Sequence, residues 1–362
     1  MLRRLLDLCK VAFVAPFGGL RTIGAAATRR TLLITGLALI VTVSAATTAG
    51  ATFPGRNGPI AYRPVDPETG LGNPLLRARP DGTRVTQLTD LPGFFSDWSA
   101  DGRRIAFDFF EPDGDEQIAT MKPDGSDLRV ITSGPGIHEV PSWSPNGRRI
   151  VFGYSPELFD PEAPEGFETR LWTMRADGSH ARPLPMRRPG FDVEPRYSPN
   201  GRWIAFARNR PPTEKREVLQ TAIFIVKASG GRVRRLTRWA DYPDQPTPRD
   251  AYPEHPTWSP DSRWIVFNLG PNGTIQAIRP NGRDRHTILE ANEGFGGHKP
   301  WYSPDGSRIL FVCENWGTLP EPPADFNDDI CVMDADGTDV VNLTNTIETF
   351  ENWPSWGPAP RK

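Results

Sequence analysis

The chain has 362 residues and combines 39 Pro and 34 Gly with 11 Trp and 19 Phe. So many aromatic residues exclude a disordered chain, and the abundant turn formers predict many short strands. The formal net charge of −2 excludes a strongly basic protein that binds nucleic acid through its overall charge.

Residues 1–51 differ from the rest and predict a signal peptide or an N-terminal membrane anchor. Arg29 and Arg30 precede an uncharged run, and Ala49-Gly50-Ala51 fits an A-x-A cleavage site. The two arginines also resemble a twin-arginine signal, whereas an uncleaved run would be long enough to span a bilayer. We therefore expect an exported protein of the periplasm, the cell envelope or the medium, with a membrane contact only through this segment.

Residues 52–362 form one predicted domain. Cleavage after residue 51 would leave 36 basic and 43 acidic side chains, a net charge of −7. Such a chain would repel phosphate backbones, so we expect no nucleic-acid partner. We expect a monomer.

A ten-residue pattern organises this domain. It runs as an aromatic residue, Ser-Pro-Asp/Asn-Gly and an alternating R-I-x-F stretch, with five near-copies and a final stub that begin at Trp98, Trp143, Tyr197, Trp258, Tyr302 and Trp356. The pattern predicts a strand that ends at the aromatic residue, a tight turn and a second strand. We expect the aromatic residues to pack between blades and the turn Asp and Asn residues to bond the backbone.

A second signature follows each copy at a variable distance and predicts a third and a fourth strand. It centres on Ala/Pro-Asp/Asn-Gly and occurs six times, from Leu75, Ile118, Leu171, Ile223, Ile275 and Ile330. Four short strands in each repeat of roughly 45–60 residues are typical of a propeller blade.

The two ends of the domain each carry half a repeat. Asn57 to Tyr62 matches a turn and a second strand, whereas Pro354 to Pro358 matches a first strand. The sequence therefore predicts an all-β fold, a six-bladed β-propeller closed by pairing of its N- and C-terminal strands.

The W/Y-S-P-D/N-G-x-x-I-x-F unit with its M-x-A/P-D-G partner resembles the Tol-type, TolB-like propeller repeat, which is related to WD repeats. The resemblance covers about residues 54–358. It implies a binding platform, although the same repeat also serves as a gating domain of prolyl oligopeptidase-like enzymes and as the body of some oligogalacturonate lyases.

Cys313 and Cys331 fall in neighbouring predicted strands. An oxidising compartment would permit a cross-strand disulfide between them. The alternative is a pair of buried thiols that pack as small apolar residues.

Five polar residues lie just before the aromatic residues, where the innermost strands begin at one mouth of the channel. These channel-mouth binding candidates are Glu139, Glu194, Glu254, His298 and Glu351. Carboxylates that converge on one axis would raise each other's pKa or hold a cation. The alternative is that each acid bonds amides of its own strand, and the differing offsets also place some of them on opposite faces.

A metal site is the weaker hypothesis for this mouth. His298, Glu254 and Glu139 are the candidate ligands, with His138 and His255 nearby, and Ca²⁺ or another divalent cation is the candidate ion.

No G-x-S-x-G, P-loop or H-E-x-x-H motif occurs in the chain. We therefore expect no cofactor and no catalytic residues. The predicted function is a binding scaffold for a protein, peptide or glycan, and the alternative is a metal-dependent polysaccharide lyase or hydrolase.

Overall fold

The computed structural model describes residues 53–65, 72, 74–112, 114–156, 169–210, 219–242, 251–271, 273–292, 295–315, 328–346 and 349–360. The predicted signal or anchor, residues 1–51, lies outside the described residues. In the part of the chain that is described, no helix is long and apolar enough to cross a bilayer.

The regular secondary structure of the described residues consists of β-strands. In chain order they are β1 (Asn57–Val65), β2 (Leu75–Ala78), β3 (Thr86–Thr89), β4 (Ser96–Trp98), β5 (Ile105–Phe110), β6 (Glu116–Met121), β7 (Arg129–Val130), β8 (Ile137–Trp143), β9 (Arg149–Ser155), β10 (Arg170–Arg175), β11 (Arg182–Pro183), β12 (Met186–Arg187), β13 (Phe191–Tyr197), β14 (Trp203–Arg210), β15 (Leu219–Lys227), β16 (Gly231–Arg232), β17 (Arg234–Arg235), β18 (Ala240–Tyr242), β19 (Ala251–Trp258), β20 (Ile265–Pro271), β21 (Thr274–Ile278), β22 (His286–Leu289), β23 (Phe295–Tyr302), β24 (Arg308–Asn315), β25 (Asp328–Asp334), β26 (Val341–Asn342) and β27 (Phe350–Pro358).

The strands form antiparallel meanders, as the repeat predicts. Four blades stand as separate sheets, namely β27-β1-β2-β3, β13-β14-β15-β17 with β18 beside β15, β19-β20-β21-β22 and β23-β24-β25-β26. Strands β4 to β11 instead form one eight-stranded sheet, because Glu116 of β6 pairs in parallel with Ile137 of β8. The prediction of six separate blades is therefore corrected to four separate blades and one sheet of two joined halves. The joining bond, from the Glu116 amide to the Gly136 carbonyl, involves backbone atoms that a sequence pattern does not report.

The predicted closure is confirmed. β1 pairs antiparallel with β27, with Ile60 opposite Trp356 and Ala61 opposite Ser355. The contact is tight, because a Cβ on Gly357 would lie 2.3 Å from the ring of Trp98. Glycine is therefore required where the last strand passes the neighbouring blade.

The six repeat aromatics form the packing between sheets, as predicted. Each is at most 6% exposed, and they are Trp98, Trp143, Tyr197, Trp258, Tyr302 and Trp356. Trp258, for example, shares a core with Ala205 and Ile223 of the preceding sheet and with Ile265 of its own. An aromatic side chain buries about 150–250 Å² in such a position, so these residues stabilise the ring.

The turn acids satisfy the backbone, which is also as predicted. In the first copy the Ser99 hydroxyl donates to the Asp101 carboxylate over 2.7 Å, and the Arg103 amide donates to the same oxygen over 3.1 Å. The hydroxyl of Ser99 then accepts the Arg104 amide at 2.9 Å. The same pattern recurs at Asn146, Asn200, Asp261 and Asp305.

Cys313 of β24 and Cys331 of β25 are joined by a disulfide, with Cα atoms 5.6 Å apart. In the register of the two strands Cys313 faces Asp329 and Cys331 faces Phe311, so the cysteines are diagonal neighbours.

Candidate functional site

Five of the inner strands carry a β-bulge at the same point. The pairing with the next strand shifts by one residue in β8, β13, β19, β23 and β27, just before the repeat aromatic. Each bulge contains an X-Pro pair, and the X residues are Val140, Glu194, His255, Lys299 and Trp353. A bulge bends its strand and changes the direction of a side chain, and here it does so at one end of the channel.

The X residue of every one of these bulges has a positive φ, between 50° and 56°. Such a conformation costs about 1–3 kcal/mol for a non-glycine residue and is common at functional sites. Side chains of the preceding repeats hold three of the bulges. Val140 donates its amide to Asp108 over 3.0 Å, His255 donates to Glu194 over 2.8 Å, and Lys299 donates to Asn268 over 3.2 Å.

Four of the bulges, in β13, β19, β23 and β27, line a cavity of about 20 Å³, which we call the channel pocket. Its lining residues come from five inner strands and include Phe95, Glu194, Arg196, His255, Lys299, Trp301 and Trp353. The ring of Phe95 lies 6.2 Å from the ring of His255 and 6.3 Å from that of Trp353. The Lys299 ammonium lies 5.6 Å from the Trp353 ring. The pocket therefore presents aromatic faces and a cation together.

A buried arginine forms part of the lining. Arg196 is 5% exposed, and its guanidinium carbon lies 5.0 Å from the centre of the Trp301 ring. Burial lowers the pKa of Arg196, and the nearby carboxylate of Asp97 opposes that effect. Asp97 also accepts the Trp143 amide at 2.7 Å, so the Arg196–Asp97 pair links neighbouring inner strands.

Of the five channel-mouth candidates, Glu194 lines the channel pocket. Its carboxylate oxygens lie 2.6 Å from the His255 ring nitrogen and 2.8 Å from the His255 amide. Burial pushes the pKa of Glu194 upward, but the contacts with His255 outweigh it and the net pKa is lowered. Glu194 is therefore ionised and holds His255 in place.

Glu139 and Glu254 are half-buried and lie against glycines of their own sheets, outside the residues that line the pocket. A Cβ on Gly153 would lie 2.9 Å from Glu139, and one on Gly270 would lie 3.0 Å from Glu254. Burial, with the charges of Asp108 and Glu194, raises the pKa of Glu139 to about 8. Burial is also the main cause of the raised pKa of Glu254.

The remaining candidates also lie outside the pocket lining. His298 is half-buried and pairs with Val312 in the register of β23 and β24. Glu351 is 4% exposed and accepts the hydroxyl of Thr346 at 3.0 Å. Burial raises the pKa of Glu351 to about 7. This partner is a side-chain hydroxyl, whereas the alternative stated from the sequence was a bond to backbone amides.

The described residues contain no group of three His, Cys, Asp or Glu side chains placed to hold a metal ion. His138, for example, turns its ring into the sheet, with Nδ1 at 3.1 Å from the Glu116 carbonyl oxygen and the Tyr154 ring at 4.7 Å. The ring of His138 is therefore engaged within its own sheet.

The candidates predicted from the sequence were four acids and a histidine, and they did not include the lining residues Phe95, Arg196, Lys299, Trp301 and Trp353. A signal for the bulges was present, since Pro stands two residues before five of the six repeat aromatics. Proline within a strand marks a bulge or an edge, so the residue before it was the one to examine.

The fold and the pocket define the class of protein as an all-β propeller with a pocket at one end of its channel. Residues 80–359 match the model of the TolB beta propeller domain, and the chain belongs to this family.

The chain is 24% identical over 273 residues to an uncharacterized protein of Agrobacterium fabrum, which covers 64% of this chain and 85% of the relative. It is 35% identical over 153 residues to the Tol-Pal system protein TolB of Anaeromyxobacter dehalogenans, which covers 42% of this chain and 30% of that protein. The structure of TolB from Acinetobacter baumannii superimposes with a TM-score of 0.62 at 21% identity, over 83% of this chain and 67% of that one. The chain therefore spans less than half of the curated TolB that it matches.

Proposed function

We propose that this protein is an exported, non-catalytic binding scaffold that holds a protein or peptide of the cell envelope at its channel pocket. The observation that carries the proposal is the set of bulges, four of which turn their inner-strand side chains toward one cavity at a cost in backbone strain. A strained backbone conformation is retained where the surrounding structure holds it in place. The closed ring of sheets holds these bulges in place.

The chemistry of the pocket suits a peptide segment. Phe95 and Trp353 offer apolar, stackable faces, which are the residue types enriched at binding hot spots. The Lys299 ammonium beside the Trp353 ring provides a partner for a carboxylate of the bound segment. Because the Glu194 carboxylate is already bonded to His255, we expect Lys299 to select an acidic or carboxyl-terminal group.

The family supports the same proposal. The TolB relatives are named for the Tol-Pal system, and we extend from them an envelope location and a protein partner for this chain. We propose that the eight-stranded sheet acts as two of six sectors around the channel and that export follows the signal in residues 1–51, by the twin-arginine route. The scaffold works without a resident metal in this proposal. The lyase or hydrolase alternative has no observation of its own in its favour.

A site-specific photo-crosslink tests the proposal. Phe95 is replaced by the photoreactive residue p-benzoylphenylalanine, and a matched variant carries it at Val85, which is 49% exposed on an outer edge. Both purified proteins are irradiated with an envelope fraction, and adducts are identified by mass spectrometry. We expect one dominant protein adduct from position 95 that is absent from position 85 and is competed by unlabelled wild-type protein. Identical adduct patterns from the two positions would refute the proposal.

A further inference from the structure

We propose that one half of the outer rim binds a linear, phosphate-bearing polyanion. This basic edge comprises residues 175–188, 227–238 and 279–290, which contain β11, β12, β16, β17 and β22. The three segments expose eleven Arg or Lys side chains against three Asp or Glu. The corresponding outer segments of the other half, residues 79–90, 122–133 and 334–345, expose four basic and five acidic side chains. The inference concerns a surface separate from the channel pocket and does not depend on its role.

The basic edge is continuous across neighbouring sheets. β12 and β16 pair in parallel, and this pairing sets Arg187 directly beside Arg232. On the next side, the guanidinium of Arg234 donates a hydrogen bond to the carbonyl of Pro280 in the following sheet. A long ligand that follows the rim would therefore meet arginines from three consecutive sheets without a break.

The arginines of this edge repel one another in the free protein. Partnered Cα atoms on adjacent strands lie about 5 Å apart, and like charges placed opposite each other are destabilising. Arg187 and Arg232 form no salt bridge with a described carboxylate, and the same holds for Arg188, Arg234 and Arg235. An anion that bridges Arg187 and Arg232 would remove this repulsion, so the geometry favours a bound anion.

Protection of open strand edges is the other reason for charge at such positions. The outer edges of the opposite half indicate that this ring does not generally need charged residues to protect its strand edges. There the same strands and their turns expose large apolar side chains at 39–52%, namely Val85, Leu128, Val130, Val340 and Val341. Because those edges persist with only three exposed arginines, the concentration of arginine on the other half has a separate cause.

The composition of the edge selects among anionic partners. Ten of the eleven basic residues are Arg, whose planar fork binds phosphate through two parallel hydrogen bonds. Among the described residues, none of the exposed large apolar side chains lies on the basic edge. A protein interface would have an apolar centre and a peripheral membrane surface would insert apolar groups, so both fit this edge poorly. A phosphate-bearing polymer needs neither an apolar centre nor inserted apolar groups in order to bind.

Binding of inorganic polyphosphate tests the proposal. Fluorescently labelled polyphosphate is titrated with the wild-type protein and with the double variant Arg187→Gln, Arg232→Gln, at several salt concentrations. The matched control is Arg79→Gln, Arg84→Gln, which removes the same charge from the opposite half. We expect the edge variant to lose roughly ten-fold or more in affinity and its salt dependence to fall by about two released counterions. The control should stay within about two-fold of the wild type.

Two results would overturn the inference. Equal losses in the edge and control variants would mean that net charge, and not this edge, governs binding. Attachment to phosphatidylglycerol vesicles with no binding of polyphosphate would assign the edge to a membrane. Circular dichroism and melting of both double variants, which change exposed side chains, verify that the fold is intact.

Discussion

Replacement of Glu139 by Gln should stabilise the protein at alkaline pH and leave it unchanged in acid. The pKa of Glu139 is raised from 4.5 to about 8 by burial and by Asp108 and Glu194. A carboxyl whose pKa is raised in the folded state binds its proton at a higher pH in the folded protein than in the unfolded chain. Its contribution to stability is therefore complete below pH 4.5 and is lost as the pH rises toward 8.

The expected change in unfolding free energy follows from the size of the shift in the pKa of Glu139. A rise from 4.5 to about 8 corresponds to at most about 5 kcal/mol of unfolding free energy. Glu139 is half-buried, so solvent screening reduces the effect, and we expect the Gln variant to gain roughly 1–3 kcal/mol at pH 8.5. Gln keeps the shape of the side chain and lacks the charge.

The assay is urea unfolding of the wild type and the variant between pH 5 and pH 8.5, followed by tryptophan fluorescence. The matched control is Glu194→Gln, because the pKa of Glu194 is lowered and its stabilising effect is present above its ordinary pKa. We expect Glu194→Gln to lower stability at pH 8.5, opposite in sign to Glu139→Gln. If the two variants shift stability in the same direction at pH 8.5, the assignment of their charge states is refuted.

Three further predictions concern the disulfide, the metal and the closure of the ring. Mass spectrometry of the non-reduced protein should show Cys313 linked to Cys331. Detection of two free thiols would contradict the disulfide. Metal analysis of the purified protein should find far less than one Mn, Zn or Ca per chain; a stoichiometric metal that is lost in His298→Ala would instead favour the lyase or hydrolase. Trp356→Ala should cost about 3–5 kcal/mol because the side chain is 2% exposed between the first and last sheets. The half-buried Trp264→Ala should cost clearly less, and equal losses of unfolding free energy would contradict the packing argument.

The repeat aromatics and the turns were predictable because each depends on local chemistry. Trp98 and its counterparts recur at one point of a repeating pattern, and a residue that recurs in every blade is expected in the blade interface. The Ser99–Asp101 turn is equally local, since its hydrogen bonds span at most five residues. The closure by β1 and β27 was predictable because two half-repeats complete each other.

The candidate site was less predictable because its geometry depends on single-residue shifts. Glu139 and Glu254 stand four residues before their aromatics and lie against glycines, whereas four of the five bulge residues, which stand three before, line the pocket. A shift of one residue in a strand reverses the face of a side chain. The distance of a residue from the repeat aromatic therefore decides where its side chain points, whatever its residue type. Glu194 lines the pocket because it occupies the bulge position itself.

The sequence by itself determined the class of fold, the closure and the packing role of the aromatics, because these follow from periodicity and turn chemistry within one repeat. The tertiary structure alone decided which residues share the channel pocket, since Phe95, His255 and Trp353 come from strands far apart in the chain. It also decided the join at Glu116 and the clustering of arginines on one half of the rim. These features arise from contacts between repeats, which a pattern within one repeat does not report.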